Sequence, residues 1–125
     1  VRVEGAALAA LALGASLACG GRDAAEEARR LTGGDPDRGR WAIRKYGCAS
    51  CHTVPGVLGA NGLVGPPLDR IGSRVVLAGH LPNTPSNMVR WIRHPQRLRP
   101  DTAMPDTGIT DAEARDVAAY LYTLR

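Results

Sequence analysis

Within five residues, Cys48-Ala49-Ser50-Cys51-His52, the chain sets two thiols and an imidazole side by side. No other stretch restricts the fold as strongly. Two cysteines with two residues between them lie about one turn apart on a short helical segment, and the next residue is held beside them. Three chemistries use such a pair. A disulfide-exchange pair sits at the start of a helix that follows a strand in an α/β pattern, and no such pattern surrounds these residues. A structural zinc ion needs four ligands, usually from a second close pair, whereas His80 and His94 are fourteen residues apart. The third chemistry is covalent attachment of haem c, in which both thiols add to the vinyl groups of the ring and the adjacent histidine ligates the iron. The sequence predicts one such group, on Cys48, Cys51 and His52.

The composition agrees. The chain has 125 residues and no Phe, and its aromatic residues are Trp41, Tyr46, Trp91, Tyr120 and Tyr122. A core so short of bulky side chains needs something else at its centre. A large apolar macrocycle fills it, and stabilises the native state as any tightly bound ligand does.

Residues 5–18, GAALAALALGASLA, are uncharged and stand between Arg2 and Glu4 on one side and Cys19-Gly20-Gly21 on the other. This reads as an export signal over residues 1–19, which implies a place in the periplasm or on the outer face of a bacterial inner membrane. The run is short for a membrane span of about 20 apolar residues, although extension to Gly21 leaves an uncleaved anchor open. Ser16-Leu17-Ala18-Cys19 is similar to a lipoprotein cleavage box, with Ser16 where such boxes carry Leu. A lipid on Cys19 is therefore a second route to the membrane. Residues 20–34 are polar, end in Gly33-Gly34 and read as a tether, briefly helical. The domain proper is expected over residues 35–125.

Charge is unevenly spread. Residues 36–99 hold ten Lys or Arg against Asp37 and Asp69, a local +8, while residues 100–125 hold two Arg against five acids, a local −3. The basic charges are dispersed and no nucleic-acid motif accompanies them, so a nucleic-acid partner is not expected. A protein partner with an acidic docking face is.

Asp35-Pro36 is an N-cap followed by Pro at the first helical position, and the helix it opens should run to about Tyr46 before Gly47 stops it. From Thr53 to Gly65 the chain has neither helical nor strand period and reads as loop. Thr84-Pro85 opens a second helix that Pro95 closes, and a proline-bounded loop spans Pro100 to Pro105. Thr110-Asp111-Ala112-Glu113 is a capping box, after which Ala114, Val117, Ala118, Leu121 and Leu124 form one apolar face. With no strand pattern and no internal repeat, the fold class is all-α, with long loops.

The second axial ligand has four candidates, Met88, Met104, His80 and His94. Met104 is preferred, because Pro105 forces it into an extended conformation that can project the thioether inward. Met88 lies near the start of a helix and reads as packing, and His94 among Arg93, Arg97 and Arg99 reads as surface.

Residues 35–125 resemble a small class I cytochrome c with His and Met ligands. The stretch with Leu81-Pro82-Asn83-Thr84-Pro85, Trp91-Ile92, Pro95-Gln96 and Met104-Pro105 is similar to the cytochrome c domain fused to subunit II of some bacterial haem-copper oxidases. No copper-binding Cys or His cluster precedes it, so the resemblance implies the electron-carrying module alone. It implies helices wrapped round the haem, with the first and last crossing where Gly39 approaches Tyr120 and Leu121. It also implies that Pro66 in the Gly65-Pro66 turn accepts a hydrogen bond from the haem histidine, although Pro67 follows directly. Arg74, Asn83 and Trp91 become candidate neighbours of the haem propionates. The function implied is single-electron transfer between a reductase or dehydrogenase and a terminal oxidase or similar acceptor, with no catalysis. The alternative is a haem enzyme or gas-binding protein with an open iron position.

Overall fold

The structure is a computed structural model that describes the backbone of residues 13–125 and side chains from residue 20. Residues 1–12 and the side chains of residues 13–19 lie outside what is described, and with them the readings of an export signal and of a lipid on Cys19. The order of elements is α1 (Leu13–Thr32), α2 (Pro36–Lys45), a 3-10 turn at Cys48–Ser50, a second at Ile71–Ser73, β1 (Val76–Leu77), β2 (Leu81–Pro82), α3 (Pro85–Arg93), α4 (Pro95–Leu98) and α5 (Asp111–Thr123).

The predicted caps form. Asp35 Oδ1 accepts from the N–H groups of Asp37 and Arg38 at 2.9 and 3.0 Å, and these bonds, that of Arg38 foremost, hold its carboxyl below the ordinary range. Pro36 takes the first helical position, and Gly47 leaves α2 in a left-handed conformation, φ +74°. Thr84 caps α3 through the Asn87 N–H at 3.2 Å. Thr110 caps α5 through the Glu113 N–H at 3.2 Å. The return half of that capping box differs from the usual one. Glu113 accepts from the Thr110 hydroxyl at 2.8 Å and from Lys45 and Tyr46 at 2.5 Å each, so it ties the start of α5 to the end of α2.

α2 crosses α5 at Gly39. A Cβ there would overlap the Asp116 carbonyl and stand 3.0 Å from the Tyr120 Cβ, so only glycine permits the approach. Beside the crossing, the Asp116 carboxylate is buried, at 5% exposure. It accepts from the Asp35 N–H at 2.7 Å and from Arg38 Nε and Nη2 at 2.9 Å each. The side of α2 turned inward carries Ala42 and Ile43, and α5 contributes Val117, Ala118 and Leu121.

Three expectations are corrected. Residues 20–34 do not form a loose tether: α1 continues to Thr32 and packs along α5. Ala28 is fully buried, and the Thr32 hydroxyl donates to the Ala28 carbonyl at 2.8 Å and accepts from the Gly34 N–H at 3.1 Å. Arg125 pairs with Glu27 at 3.2 Å and Arg115 donates to the Thr32 carbonyl at 3.3 Å. The charges that make this segment look soluble surround a narrow stripe of small residues, Ala24, Ala25, Ala28 and Thr32, at helical spacing. α5 is also buried beyond the one apolar face expected: Asp116, Ala119, Tyr120 and Tyr122 are buried as well. Second, a two-residue antiparallel ladder pairs Val76 with Pro82 and Leu77 with Leu81, turning through Ala78 and Gly79 at φ +51° and +78°. Strands this short carry no detectable period. Third, Pro95 closes α3 and also opens α4, a single turn. Among the described residues, no helix is long and apolar enough to cross a membrane.

The replacement Gly39→Ala should destabilise the haem-loaded protein by about 2–3 kcal/mol, measured by denaturant unfolding, because the helices must separate to admit the methyl group. A change below about 0.5 kcal/mol would mean that the crossing is not tight in solution.

Lys45 first, then Tyr46 and Thr110, hold the Glu113 carboxyl down from its ordinary 4.5 to about 2. An acid depressed in the folded state stabilises it above the unfolded pKa and loses that contribution on protonation. Thermal midpoints should therefore fall as pH drops from 4.5 towards about 2. Glu113→Gln should lie below the parent at neutral pH and converge on it in acid; parallel curves would remove Glu113 from the acid response.

Candidate functional site

The side chains from α2, α5, α3 and the intervening loops enclose a cavity of about 510 Å³. Its walls are mainly apolar, with Ile43, Leu68, Leu77, Ile92, Val117 and Leu121 among them. Cys48, Cys51, His52, Pro66, Arg74, Trp91 and Met104 all line this one cavity, as does the packing residue Met88. The remaining candidates do not. His80 lies on the hairpin turn with Nδ1 3.1 Å from the Ala78 carbonyl, and His94 faces Asp106. Asn83 also falls elsewhere: its amide donates to the Ile71 and Arg74 carbonyls at 2.9 and 2.7 Å and its oxygen accepts from the Tyr122 hydroxyl at 2.8 Å. Asn83 is thus a bridge between loop and α5 and is not among the residues that line the cavity.

The thiol pair sits where α2 gives way to a 3-10 turn. Cys51 and His52 both direct their N–H to the Cys48 carbonyl, at 3.2 and 2.9 Å, which brings the three functional side chains onto one turn. Neither cysteine is in a disulfide. Burial pushes the Cys48 thiol above its ordinary pKa, the opposite of what a thiolate nucleophile or zinc ligand needs. Among the described residues no group of three or more His, Cys, Asp or Glu could hold a metal ion by itself. A zinc site here therefore lacks its further ligands among the described residues.

His52 is held tightly. Its Nδ1 lies 2.7 Å from the Pro66 carbonyl, so Pro66 rather than Pro67 makes this contact. With that carbonyl as acceptor, Nδ1 carries the proton and Nε2 keeps its lone pair. The ring lies against Gly65, where a Cβ would come within 3 Å of Cε1, Nδ1 and Nε2. Gly65 donates to the Cys51 carbonyl at 2.7 Å, and Leu68 to the Thr53 carbonyl at 2.9 Å, so the loop from Thr53 wraps back onto the turn. Gly62 faces Ser50 and Cys51 with no room for a side chain.

Arg74 donates through Nη2 to the Pro67 and Asp69 carbonyls at 2.7 and 2.8 Å, bracing the loop that follows Pro66 while lining the cavity. Arg99 lines it too and donates to the Ala78 carbonyl at 3.1 Å, a role that sequence reasoning missed. Fifteen arginines gave no local signal to single it out. Val64 and Val76 line the cavity and are also exposed, and their chain neighbours Leu63 and Val75 are among the most exposed apolar residues, at 89% and 83%.

These residues fit a covalently held haem: apolar walls for a macrocycle, two free thiols one turn apart, an imidazole with its free nitrogen fixed by tautomer, and a thioether on the same cavity. The comparisons with known proteins point the same way. The cytochrome c family profile matches residues 37–125, beginning just inside α2 and leaving α1 outside. The chain is 37% identical over 92 residues to cytochrome c oxidase subunit 2 of Alkalihalophilus pseudofirmus, an alignment covering 71% of this chain and 25% of that relative. The chain thus spans about a quarter of the length of the curated relative it matches. No solved structure matches it significantly. A family profile that covers most of the helical domain and contains the cysteine–histidine turn is decisive: the chain belongs to the cytochrome c family, whose domain implies covalent haem c and haem-based electron transfer.

Proposed function

We propose that this chain is a single-electron carrier with one haem c, attached through Cys48 and Cys51 and ligated by His52 and Met104, and that it catalyses no reaction. The observation that carries the reading is the Nδ1 contact of His52 with Pro66, which leaves Nε2 free on a cavity that Met104 also lines. When bound, the haem supplies an iron that accepts and releases one electron.

The chain's own residues do the rest. Cys48 and Cys51 would anchor the group through two thioether bonds. Pro66 keeps the His52 ring in one orientation and one tautomer, so the imidazole need not reorient as charge on the metal changes. Met104 stands on a loop that Pro105 keeps extended, and thioether ligation favours the lower oxidation state, which raises the potential. The apolar walls exclude water and add to that preference. Arg74 and Arg99 bring positive charge to the same cavity, suited to carboxylate substituents of a haem. His and Met together leave no open position for a substrate.

The partners in this reading are respiratory redox proteins, a donor dehydrogenase or reductase and an acceptor such as a terminal oxidase, in keeping with the oxidase-subunit relative. Their docking face would be acidic, to meet the +8 of residues 36–99. It would also carry apolar area to cover Leu63, Val64, Val75 and Val76. We place the protein on the outer side of a bacterial inner membrane, exported by residues 1–19 and held there by a lipid on Cys19 or an uncleaved anchor.

Met104→Ala should lower the reduction potential and abolish the near-red absorption band of an iron–thioether bond, while Met88→Ala should do neither. The reduced parent should bind carbon monoxide poorly and the Met104 variant readily. If Met88→Ala removes the band instead, the ligand assignment is wrong; fast, stoichiometric carbon monoxide binding by the native parent would favour a gas-binding protein or enzyme.

Raising ionic strength from about 0.01 to about 0.1 M shortens the Debye length from about 30 to about 10 Å. The bimolecular rate of electron transfer to an acidic partner should fall over that interval, as stopped-flow mixing can measure. A rate independent of salt would leave the apolar residues as the docking determinant.

A further inference from the structure

The segment that carries Met104, from Arg99 to Ile109, has Pro100 and Pro105 and no regular secondary structure. Its few backbone contacts are local. Thr102 N–H reaches the Arg99 carbonyl at 3.1 Å, and Met104 N–H reaches the Thr102 hydroxyl at 3.2 Å. Beyond Met104, Pro105 has no N–H to offer. Apart from the Arg99 N–H bond to the Pro95 carbonyl at 2.8 Å, where α4 ends, and the burial of Ile109, the hydrogen bonds that tie this loop to the rest of the domain come from side chains, at one point on each flank. Before Met104, Arg99 donates to the Ala78 carbonyl of the hairpin turn at 3.1 Å. After it, Asp106 uses both carboxylate oxygens: Oδ1 accepts from the Gly108 N–H at 3.0 Å, and Oδ2 lies 3.0 Å from His94 Nδ1.

The two bonds of Asp106 do different things. The first closes a turn that Gly108 completes in a left-handed conformation, φ +69°, just before buried Ile109 leads into α5. The second joins that turn to His94, the residue at which α3 ends and α4 begins. Both ends of the His94 segment are themselves fixed, by buried Ile92 on α3 and fully buried Pro95 on α4. A neutral imidazole with its proton on Nδ1 suffices for the bond, so the clasp does not depend on charging His94.

We propose that Asp106 and His94 are positioning residues for Met104, a clasp that holds the loop against the α3–α4 junction and sets how readily Met104 leaves the metal. The inference rests on the Met104 assignment made above. It concerns the rate and ease of ligand release and leaves the identity of the ligand to that assignment. Opening the clasp frees the loop to swing on Pro105 and Gly108 while the cavity walls and the His52 side stay in place. Release of Met104 then costs less than it does in the parent, without the domain unfolding.

The test uses ferric haem-loaded protein titrated with imidazole, followed by loss of the near-red band, with the thermal midpoint measured on the same samples by far-ultraviolet circular dichroism. His94→Ala leaves the Gly108 bond intact and removes only the bridge; Asp106→Ala removes both. Each should lower the imidazole concentration at half-exchange by about three- to tenfold, the range of one or two lost hydrogen bonds. The thermal midpoint should stay nearly that of the parent. The double variant should exchange no more easily than Asp106→Ala alone, because the bridge is already gone. Asp101→Ala, which removes a loop carboxylate paired only with Arg99 at 3.2 Å, should behave as the parent. Exchange in His94→Ala within twofold of the parent overturns the proposal, as does easier exchange that merely tracks a falling thermal midpoint or that Asp101→Ala reproduces. A band that survives Met104→Ala would overturn the ligand assignment instead, and the clasp with it.

Discussion

At the crossing of α2 and α5 the two backbones come so close that position 39 has no space for a methyl group. The cavity depends on this approach. Four residues beyond Gly39 lies Ile43, and just past the helix end come Tyr46, Cys48 and Cys51, all on the cavity. Val117 and Leu121 on α5 face the same space. Separating the helices would move the cysteine turn away from the wall that faces it. A chain without phenylalanine cannot close such a gap with bulk of its own. The geometry thus makes a space, and the chemistry on its edge supplies the means of filling it.

Two acids of α5 hold the ends of α2 in register. Asp116 takes the Asp35 N–H and the Arg38 fork at the start of the helix, and Glu113 takes Lys45 and Tyr46 at its end. A buried carboxylate gains little net stability from one ion pair, since desolvation consumes much of the attraction. Here the other side of the pair is Arg38, which is 69% exposed and keeps most of its hydration, while the backbone N–H satisfies a further lone pair. The arrangement fixes the angle and axial position of α2 at modest cost. α1 adds to it from outside: Arg29 reaches Asp35 at 3.1 Å, so the helix that precedes the matched domain also bears on the cap of α2.

What could be read in advance was local, and what could not was tertiary. Asp35-Pro36, Thr84-Pro85 and Thr110 with Glu113 declare their helices because a cap and its companion, a proline or a glutamate, stand within four residues of one another. Cys48, Cys51 and His52 could be named because one turn of helix sets their spacing. Pro66 needed the resemblance, and only the fold separated it from Pro67. The packing of α1 was hidden, since a stripe of alanines in a charged segment has little apolar signal until α5 lies against it. The bridging role of Asn83 was hidden for a similar reason: its bonded neighbours Ile71, Arg74, Val75 and Tyr122 come to it only through the fold. The short ladder at Val76 and Leu77 and the rim residue Arg99 had no sequence signal at all.

The two sides of the cavity are built by different means, and this bears on how a His–Met pair would behave. On the His52 side the constraints are backbone and steric: a helical turn, the Pro66 carbonyl, and two glycines whose lack of a side chain lets the loop press on the ring and the cysteine turn. Such constraints yield only when the loop as a whole moves. Around Met104 they are side-chain bonds at the surface, to Thr102, Arg99 and Asp106, each of which water can replace at small cost. In the proposed ligand set, His52 is therefore the fixed partner and Met104 the one that yields first to acid, denaturant or a competing base. An electron carrier tolerates this asymmetry because neither ligand need leave during transfer. The structural demand on the Met104 loop is that it stay put between oxidation states, and surface bonds in parallel suffice for that.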